Sequence, residues 1–550
     1  DREALHDFRL SPRVVKATGG QRTTKFGIGV IETMETVVAA EVCEELWSAE
    51  SPHTEFSLGG VEIIGNGSGS HHQLRKLESR FNLIQNATTK CGGCYLYSNL
   101  RGCDGSRLYF DGSSLICVNG GIVSQAPQFS MKDVEVITAV VDLQGIRTHR
   151  HATASFQEQS ARAPRLLKVD ASYFALAGTP ESQLARIREA PTAPIEPSLH
   201  TVEEECAFGP ACWLWDYMRR AKASGFMLPL SGGADSASVA AIVRIMCGLV
   251  VNECLSKTPD TLCVSTVETV LGTEGMAEME AATDNRARGD ILCRAILHTS
   301  YMGSDNSSTS TQTRALNLST QIGAYYNHIS ITPIINGVLT VLGTLTGKKP
   351  RFLTQGGSQI EDIALQNIQA RVRMVMAYLE AQLLPWIRER PGFLLVLGSG
   401  NVDEALRGYM TKYDCSSADL NPIGGICKVD LKRMLLWASD RYDVPALREI
   451  ATAEPSAELR PLADGEKEDY SQTDEDDMGM SYEELGIFGR LRKVQRCGPV
   501  SMFRTLVSVW KTLDPKEVAA KVKRFFFYYS INRHKLTVLT PSYHAESYSP

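Results

Sequence analysis

The sequence predicts an α/β protein with two unequal units joined by a connector. Two transitions from strand to loop carry this prediction: residues 225–230 run into the glycine loop 231–236, and residues 393–397 run into 398–401. A β-rich stretch precedes them. The chain has 550 residues, of which 43% are hydrophobic and 22% charged. That composition is typical of a globular protein and excludes disorder, collagen and coiled coil.

Residues 1–155 are predicted to form the first unit, a mixed α/β layer. Residues 61–64 have a strand pattern that runs into a cluster of glycine, serine and asparagine. Residues 115–118 and 122–123 flank Asn-Gly-Gly, which is a hairpin signal. A further β-rich run covers 134–141, and residues 73–84 predict a helix between the strands.

Residues 156–200 are predicted to be a connector, because alanine, arginine and proline accumulate there. Residues 201–550 form the second unit. It opens with helical periodicity over 202–223, followed by the strand 225–230, the glycine loop and an apolar helix over 237–249. The uncharged stretch 329–347 contains Pro333 and Asn336, which favour a buried amphipathic helix over a membrane span.

Charge and cysteine usage limit the class of protein. The formal net charge of −6 and the pI near 6.1 argue against a general binder of nucleic acid or of anionic membranes. Fourteen scattered cysteines are too sparse for a disulfide scaffold, and the N-terminus has no signal pattern. We therefore expect a reducing, cytoplasmic environment. Because residue 1 is aspartate, we expect a fragment or a processed product.

The glycine loop has the features of a polyphosphate site. Gly232 and Gly233 let the backbone approach an anion, and the helix that follows contributes free N–H groups. Ser231 and Ser236 add hydroxyl groups. Asp235 would repel phosphate unless a divalent cation lies between them, so the loop predicts Mg²⁺ as well as a polyphosphate. A ligand-free turn is the alternative, and the strand-loop-helix setting disfavours it.

This loop resembles the pyrophosphate loop of N-type ATP pyrophosphatases. Six further stretches are similar to glutamine-dependent NAD⁺ synthetases of the long eukaryotic form: 367–374, 398–404, 408–419, 420–428, 471–480 and 532–535. The resemblance implies a partial nitrilase-like α-β-β-α sandwich, followed by a Rossmann-like parallel sheet of the adenine nucleotide alpha hydrolase type. It also implies that glutamine supplies ammonia, and that ATP drives amidation of nicotinic acid adenine dinucleotide (deamido-NAD) to NAD⁺ through an acyl-adenylate, releasing AMP and pyrophosphate.

The resemblance also implies roles for individual residues in the second unit. ATP would contact Pro229, Leu230, Ser231, Gly232, Gly233, Ala234, Asp235, Ser236, Ser399, Lys428 and Ser456. The deamidated dinucleotide would contact Arg371, Lys412, Asp419, His534 and Lys535. Mg²⁺ would bind Asp235 and Glu404, and Ser231 and Asp235 would act in catalysis. The acidic run 474–477 receives no role.

In the first unit, Cys43 resembles the nucleophile of the nitrilase superfamily, and Ser70 and Lys76 match positions that hold glutamine. Nitrilase chemistry also needs a glutamate base and a lysine that stabilises the oxyanion. In the family both lie farther from the cysteine than the 42 residues that precede Cys43. Neither Lys16 nor Lys25 lies in a matching motif. We therefore expect the chain as given to be N-terminally truncated and to lack glutaminase activity. The C-terminal residues 544–550 also stop where the family continues, so we expect truncation at both ends.

The leading prediction is an enzyme that acts on small molecules, without nucleic acid or membrane, and that assembles as a homo-oligomer as its relatives do. Four further hypotheses stay open. The chain could use ammonia only, or be a decayed nucleotide-binding scaffold without turnover. It could also be a different ATP-pyrophosphatase amidotransferase, or a carbon–nitrogen hydrolase with a passenger domain.

Overall fold

The computed structural model describes residues 6–178, 189–453, 459–461 and 474–548. Ser456 lies outside these described residues. Elements are numbered in chain order over the described part of the chain. Two α/β units contact each other along helix α6 (Val202–Ala221) and the C-terminal segment.

The first unit covers a mixed sheet and its helices. Its elements are β1 (His6–Arg9), α1 (Pro12–Ala17), β2 (Thr23–Phe26), β3 (Val30–Glu32), β4 (Val37–Val42), α2 (Pro52–Leu58), β5 (Ile63–Ser68), α3 (Lys76–Cys91), β6 (Cys94–Asn99), β7 (Arg101–Cys103), β8 (Tyr109–Asp111), β9 (Leu115–Val118), β10 (Gly121–Gln125), α4 (Leu143–His151), α5 (Ala154–Arg162) and β11 (Lys168–Asp170). A short 3-10 helix, Cys43–Trp47, follows β4.

Seven described strands form the main sheet of this unit, in the order β10-β9-β6-β5-β4-β3-β11. The central strands β4, β5 and β6 are parallel, and β9 and β10 form the predicted hairpin. Helices α2 and α3 bury Phe56 and Phe81 against one face. Much of the opposite face is open, and Val42 is 63% exposed there. The described residues therefore supply one sheet of the nitrilase-like sandwich.

The segment 156–200, which the sequence predicts as a connector, contributes to the first unit. Helix α5 ends within it, and β11 pairs in parallel with β3 at the edge of the sheet. Residues 189–200 then run without regular structure to α6. Strand β11 has three residues, and its pairing depends on β3, so its own sequence pattern is too short to predict it.

The second unit is larger and mostly helical. Its elements are α6 (Val202–Ala221), β12 (Gly225–Pro229), α7 (Ala234–Cys254), α8 (Thr261–Ala281), α9 (Asn285–Ile296), β13 (Leu297–Gly303), α10 (Thr309–Gln321), β14 (Tyr325–Ser330), α11 (Thr332–Thr346), α12 (Gln359–Ile387), β15 (Leu394–Val396), α13 (Val402–Arg407), α14 (Lys428–Tyr442), α15 (Pro445–Thr452), α16 (Asp474–Met478), α17 (Tyr482–Gly489), α18 (Pro499–Val509) and α19 (Pro515–Ile531).

The sheet of the second unit is parallel and has the order β14-β13-β12-β15. The predicted strands 225–230 and 393–397 are confirmed as the adjacent β12 and β15. Helix α7 is long and apolar enough to cross a membrane by length and composition alone, but most of its side chains are buried in the core of this unit. Trp213 and Trp215 on α6 pack into the same core.

Two sequence predictions are wrong. The described residues 134–141 form no strand, and Val136 is 82% exposed; their β-branched residues lack a neighbouring strand to pair with. The stretch 329–347 does form a helix, α11, but none of its described side chains is buried. Its apolar face was expected to pack inside the chain and instead lies at the surface, where Leu345 is 82% exposed.

The tight packing of β12 gives a stability prediction. Gly225 has φ +154°, and a Cβ there would lie 2.2 Å from the Ile296 carbonyl oxygen. We expect Gly225→Ala to lower the free energy of unfolding by at least about 2 kcal/mol, because the backbone of β12 must shift. Gly337→Ala on α11 is the control, since nothing lies within 4 Å of its new Cβ. Thermal unfolding of both variants checks this, and equal melting temperatures would contradict it.

Candidate active sites

The glycine loop turns tightly from β12 into α7. Gly232 has φ +79°, and a Cβ would lie 2.2 Å from the Thr311 carbonyl oxygen, so only glycine fits. The Ser231 and Ser236 hydroxyl oxygens are 3.0 Å apart, and the Gly233 N–H donates to Ser231 Oγ at 3.3 Å. The loop presents the N-terminus of α7, whose unpaired N–H groups suit an anion.

A cavity of about 360 Å³ opens at this carboxyl edge of the parallel sheet. Ligands of open α/β sheets bind at this edge because the loops after the strands meet there. Ten of the predicted residues line the cavity: Pro229, Leu230, Ser231, Gly233, Ala234, Asp235, Ser236, Ser399, Glu404 and Lys428. Loops from three separate parts of the sequence therefore converge on one site.

Lys428, the first residue of α14, is ion-paired with Asp235 and is only 3% exposed. Burial alone would lower the pKa of Lys428, but the charges of Asp235 and Glu404 outweigh it and the pKa is raised. Asn401 Nδ2 donates to the other Asp235 oxygen at 3.1 Å. The ammonium is therefore held charged inside the cavity wall.

Two more carboxyl groups face this ion pair. Burial, reinforced by Asp235, raises the pKa of Glu404 well above its usual value. Burial also raises the pKa of Asp474. The Tyr482 hydroxyl donates to both, at 3.2 Å to Glu404 and 3.3 Å to Asp474. Asp474 belongs to the acidic run 474–477, to which the sequence analysis assigns no role. A run of acidic residues alone does not show whether it forms a solvated loop or lines a cavity.

The cluster has the donor chemistry that Mg²⁺ requires but is not a closed metal cage. Among the described residues, no group of three His, Cys, Asp or Glu side chains is arranged to hold a metal ion. Asp235, Glu404 and Asp474 nevertheless offer carboxylate oxygens around a single ammonium. Protein-bound Mg²⁺ commonly uses one or two carboxylates plus phosphate oxygens and water. The residues present therefore fit a cation that arrives with a polyphosphate.

The residues implied for the dinucleotide lie outside this cavity wall. Arg371 Nε donates to the Lys412 carbonyl at 3.0 Å. Two residues close to Arg371 in the sequence, Ala370 and Arg373, line the cavity. Lys535 Nζ donates to the Gly408 carbonyl at 2.8 Å. The structure thus brings Arg371 and Lys412 together beside the cavity.

Asp419 and His534 are arranged differently from the rest of the implied dinucleotide residues. Asp419 accepts from the Val396 N–H at 2.8 Å and from the Tyr378 hydroxyl at 3.1 Å, so its carboxylate ties β15 to α12. The ring of His534 contacts the Ile531 carbonyl at 3.0 Å on an exposed turn. The two side chains therefore occupy structural positions here, and their role in binding stays a prediction.

Further cavity residues were missed by sequence reasoning. They come from β13, α10, α12 and the loop before the 3-10 turn 415–417, and they include Tyr301, Thr311, Arg314, Arg373 and Asp414. Arg373 and Asp414 lie within the family-like stretches 367–374 and 408–419, which are the signals that could have found them. The remaining three follow no local pattern, because they reach the cavity through the order of strands in the sheet.

In the first unit, Cys43 follows β4 directly and has φ +46°. A positive φ is strained for a side-chain-bearing residue and is common where a nucleophile must project from a sharp turn. Its N–H donates to Asn66 Oδ1 at 3.2 Å. This local geometry supports the prediction that Cys43 is a nucleophile.

Two basic residues, Lys76 and Arg80, lie within electrostatic reach of this cysteine. Arg80 donates to Ser70 Oγ and to Asp111, both at 3.0 Å, so the predicted glutamine residue Ser70 is tied to the same group. Burial and the charge of Arg80 lower the pKa of Lys76, while Asp111 and Cys43 oppose that shift.

Carboxylates near Cys43 in the sequence are engaged elsewhere. Glu41 accepts hydrogen bonds from the Tyr95 hydroxyl and the His53 N–H, which lower its pKa against the effect of burial. Glu45 accepts from the Val42 N–H at 2.7 Å. Lys25 pairs with Asp7 on the exposed β1–β2 hairpin. None of these groups is placed as the missing base or oxyanion lysine.

Comparison with known proteins agrees with this geometry. The NAD synthase family matches residues 210–497, just over half of the chain, and the carbon–nitrogen hydrolase family matches residues 6–151. The glutamine-dependent NAD(+) synthetase of Arabidopsis thaliana is 52% identical over 550 residues, covering 100% of this chain and 73% of the relative. The chain belongs to the glutamine-dependent NAD(+) synthetase family.

Two more members of the NAD(+) synthetase family are about as similar. The Saccharomyces cerevisiae synthetase is 50% identical, covering 99% of this chain and 75% of its own length. The Mus musculus synthetase is 48% identical, with 98% and 72% covered. This membership favours the predicted two-unit ligase over a decayed scaffold, a hydrolase with a passenger domain, an ammonia-only synthetase or a different ATP-pyrophosphatase amidotransferase.

Solved NAD(+) synthetases share the fold. A Cytophaga hutchinsonii glutamine-dependent enzyme matches with TM-score 0.71 and 21% identity, covering 99% of this chain and 73% of that chain. An Acinetobacter baumannii enzyme in complex with ADP matches with TM-score 0.52 and 18% identity, covering 97% and 74%. At these identities the likeness establishes the fold, in which a nitrilase-like domain precedes the NAD synthetase domain.

The C-terminal segment of this NAD(+) synthetase reaches the glutaminase domain and gives a pH prediction. The rings of His71 and His544 are 5.3 Å apart, and burial lowers the pKa of each to about 4. The unfolded chain takes up protons near pH 6.5, so this contribution to stability is complete above that pH and is lost as the pH falls towards 4. His544→Gln should therefore lose less stability on acidification than the wild type.

The measurement compares melting temperatures at about pH 7.5 and about pH 5, on either side of the unperturbed histidine pKa. His151→Gln, at the exposed end of α4, is the matched control and should behave as the wild type. An unchanged pH dependence in His544→Gln would show that the buried pair does not govern acid stability.

Proposed function

We propose that this chain forms NAD⁺ by ATP-dependent amidation of deamido-NAD, with the chemistry centred on Lys428 and its ring of carboxylates. The family establishes a glutamine-dependent ligase. The observation that carries the residue assignment is the ion pair of Lys428 and Asp235 at the mouth of the glycine loop, with Glu404 and Asp474 beside it. This cluster has the charges that a reaction between two polyanions needs.

The loop from Pro229 to Ser236 would hold the phosphates of ATP. The N-terminus of α7 supplies N–H donors and a partial positive charge, and the Ser231 hydroxyl lies at the cavity wall. Ser399 and Lys428 would bind the same nucleotide from the opposite loops. Ser456, which lies outside the described residues, keeps its predicted ATP contact.

Attack of the substrate carboxylate on the α-phosphate concentrates negative charge in this cavity. Lys428 would neutralise part of that charge, and its burial makes the attraction stronger than it would be in water. Asp235 and Glu404, with Asp474 as a third candidate, would hold Mg²⁺, which when bound would screen the phosphates and orient the pyrophosphate leaving group. Positioning and electrostatics supply most of the rate in such transfers.

Ammonia then displaces AMP from the acyl-adenylate. Water would compete for this intermediate, so the cavity must exclude it. Met302, Ile450 and Leu459 contribute apolar surface to the wall. In the intact protein, Cys43 of the first unit would attack the amide of glutamine, while Ser70 and Lys76 would bind that glutamine. Ammonia would pass to the second unit.

The decisive experiment supplies ammonium directly and follows NAD⁺ formation from deamido-NAD, ATP and Mg²⁺. We expect Asp235→Asn to reduce the rate at least about 100-fold, because the variant loses a charge that orients Lys428 and the cation. Pyrophosphate release that depends on deamido-NAD distinguishes this substrate from those of different ATP pyrophosphatases.

Cys43→Ala is the matched control for that experiment. With ammonium as nitrogen donor, the variant should form NAD⁺ at the wild-type rate, because Cys43 serves only glutamine hydrolysis. A wild-type rate in Asp235→Asn, or a strong loss in Cys43→Ala, would overturn the assignment of the two sites.

We also propose that the enzyme is a homo-oligomer that packs through α11 and α12. Helix α11 carries no charged residue, and its surface side chains include Val341, which is 69% exposed, and Leu345. On α12, Val375 and Trp386 are exposed as well. A second copy of the chain carries the same apolar surface, so a two-fold axis would bury both at once.

This surface gives a prediction about assembly. We expect Val341→Asp to shift the sedimentation coefficient to that of a smaller species, since a carboxylate would be buried without a partner. Val136→Asp, at an equally open position of the first unit, should leave the assembly unchanged. Equal sedimentation of both variants and the wild type would place the interface elsewhere.

A cytoplasmic location remains part of the proposal, and it accords with fourteen cysteines that are all free.

A further inference from the structure

A second large cavity lies at the amino-terminal edge of the parallel sheet, at the opposite end of β12 from the glycine loop. Its volume of about 380 Å³ matches that of the catalytic cavity. The end of α6, the middle of α8 and the segment between α12 and β15 enclose it. None of the residues proposed to bind ATP, deamido-NAD or glutamine lines this cavity.

The charged side chains that line this cavity are all cationic. Among its described lining residues, Arg219, Lys222 and Arg390 are basic and none is acidic. Arg219 is paired with Asp133 and Asp216, at 2.9 and 2.7 Å. The guanidinium of Arg390 instead donates to backbone carbonyls, those of Ala295 and Val270.

The positive charge at Arg390 is therefore not balanced by a carboxylate contact. Burial lowers the pKa of Arg390, and burial together with Arg390 lowers the pKa of Arg388. Two neighbouring guanidinium groups thus repel each other in a partly desolvated place. An anion entering the cavity would relieve that repulsion.

The cavity wall also contains the buried ring of His298. Arg388 donates to His298 Nε2 at 2.5 Å, so that nitrogen is the acceptor and the proton of the neutral ring lies on Nδ1. His298 is 2% exposed, and burial lowers its pKa to about 3, which keeps the ring neutral. The Ile296 and Phe226 carbonyls hydrogen-bond with the ring, so His298 places no negative charge beside the two guanidinium groups.

Arg219 Nε is a buried donor without a partner in the described structure. Buried donors are nearly always satisfied in folded proteins, and each exception carries a desolvation cost. Arginines that only cap helix ends would account for the contacts of Arg390 with carbonyls. They would not account for the Arg219 donor, which has no acceptor within the described residues.

The rest of the wall is apolar. Met218 and Ala223 lie on one side, and Val270, Pro385 and Leu394 contribute the remainder. A free inorganic ion would leave this surface uncovered. The cavity suits a ligand that combines an anionic head with a compact apolar body.

We propose that this cavity is a binding site for a small organic anion, with its carboxylate or phosphate head at Arg390 and its apolar body against Met218 and Leu394. The site lies at the sheet edge opposite the catalytic cavity, so a ligand bound there occupies a place separate from the substrates of the amidation. The inference rests on the cavity itself and holds whichever reaction the carboxyl edge performs.

Saturation-transfer NMR tests the site with naphthalene-2-sulfonate, in the presence of ATP and Mg²⁺ so that the catalytic cavity is filled. The neutral probe is 2-naphthol, which has the same ring system. We expect the sulfonate to bind at least tenfold more tightly than naphthol. Arg390→Met should weaken sulfonate binding at least tenfold, and Arg390→Lys should restore part of it.

A filling variant tests the cavity without changing its charge. Thr269 lines the cavity from α8, and Thr269→Trp should block both probes. Arg286→Met removes an exposed arginine of α9 that pairs with Asp443, and should bind as the wild type does. Unchanged melting temperatures and ammonium-supported NAD⁺ formation establish that the variants are folded.

The proposal is overturned if the two probes bind equally, or if sulfonate binding survives both Arg390→Met and Thr269→Trp. If Arg390→Met does not fold, Thr269→Trp decides alone, since it leaves every cation in place. Failure of this test would leave the catalytic assignment untouched, because that assignment is measured by NAD⁺ formation.

Discussion

The ion pair between Lys428 and Asp235 is the interaction on which the catalytic edge of the second unit depends. It joins the glycine loop after β12 to the start of α14, and Asn401 attaches the loop after β15 to the same carboxylate. The Lys428 N–H also donates to Asp403 at 2.9 Å. Without the ammonium, several buried carboxyl groups would face one another unpaired, which is strongly destabilising. The charge that we propose to act in catalysis therefore also holds the three loops together.

A second constraint fixes the two units relative to each other. The Tyr543 hydroxyl lies 2.6 Å from His72 Nδ1, and Glu205 on α6 accepts from the Arg75 N–H at 2.8 Å. Gln128 bridges Glu205 to Asp111, which in turn accepts a hydrogen bond from Arg80 beside Ser70.

This buried polar network crosses the interface between the units. Because its members are joined by several hydrogen bonds, a shift of one unit would break more than one of them at once. The same C-terminal segment pairs Ser542 with Asn421, whose side chain donates to the Gly400 carbonyl beside the glycine-loop cavity. The segment around Arg80 and the loops of the second unit are thus joined through one set of contacts.

Sequence reasoning succeeded where structure follows from local patterns. The hairpin at Asn119 and the strands β12 and β15 lie where turn residues and apolar runs predict them. Helix α6 covers residues 202–221 of the predicted 202–223. It failed where a segment needs a partner. The run 134–141 has strand-forming residues but no strand beside it, and α11 has a core-like composition but packs at the surface. The composition of a segment indicates which secondary structure it prefers. Whether the segment is buried or paired depends on which other elements pack against it.

The sequence by itself determined the chemistry that a few adjacent residues can encode. The glycine loop and the elbow at Cys43 depend on backbone geometry and on neighbours in the chain, so their motifs are readable and identify the family. Only the tertiary structure decided which distant groups share an environment. Lys428 pairs with Asp235, which lies 193 residues away in the sequence, and Tyr543 contacts His72, which lies 471 residues away. Asp474 lines the cavity of the second unit. The energy of an electrostatic interaction falls as the distance between the two groups increases. Residues that interact in this way follow no regular spacing along the chain, so only the folded structure shows which of them are close.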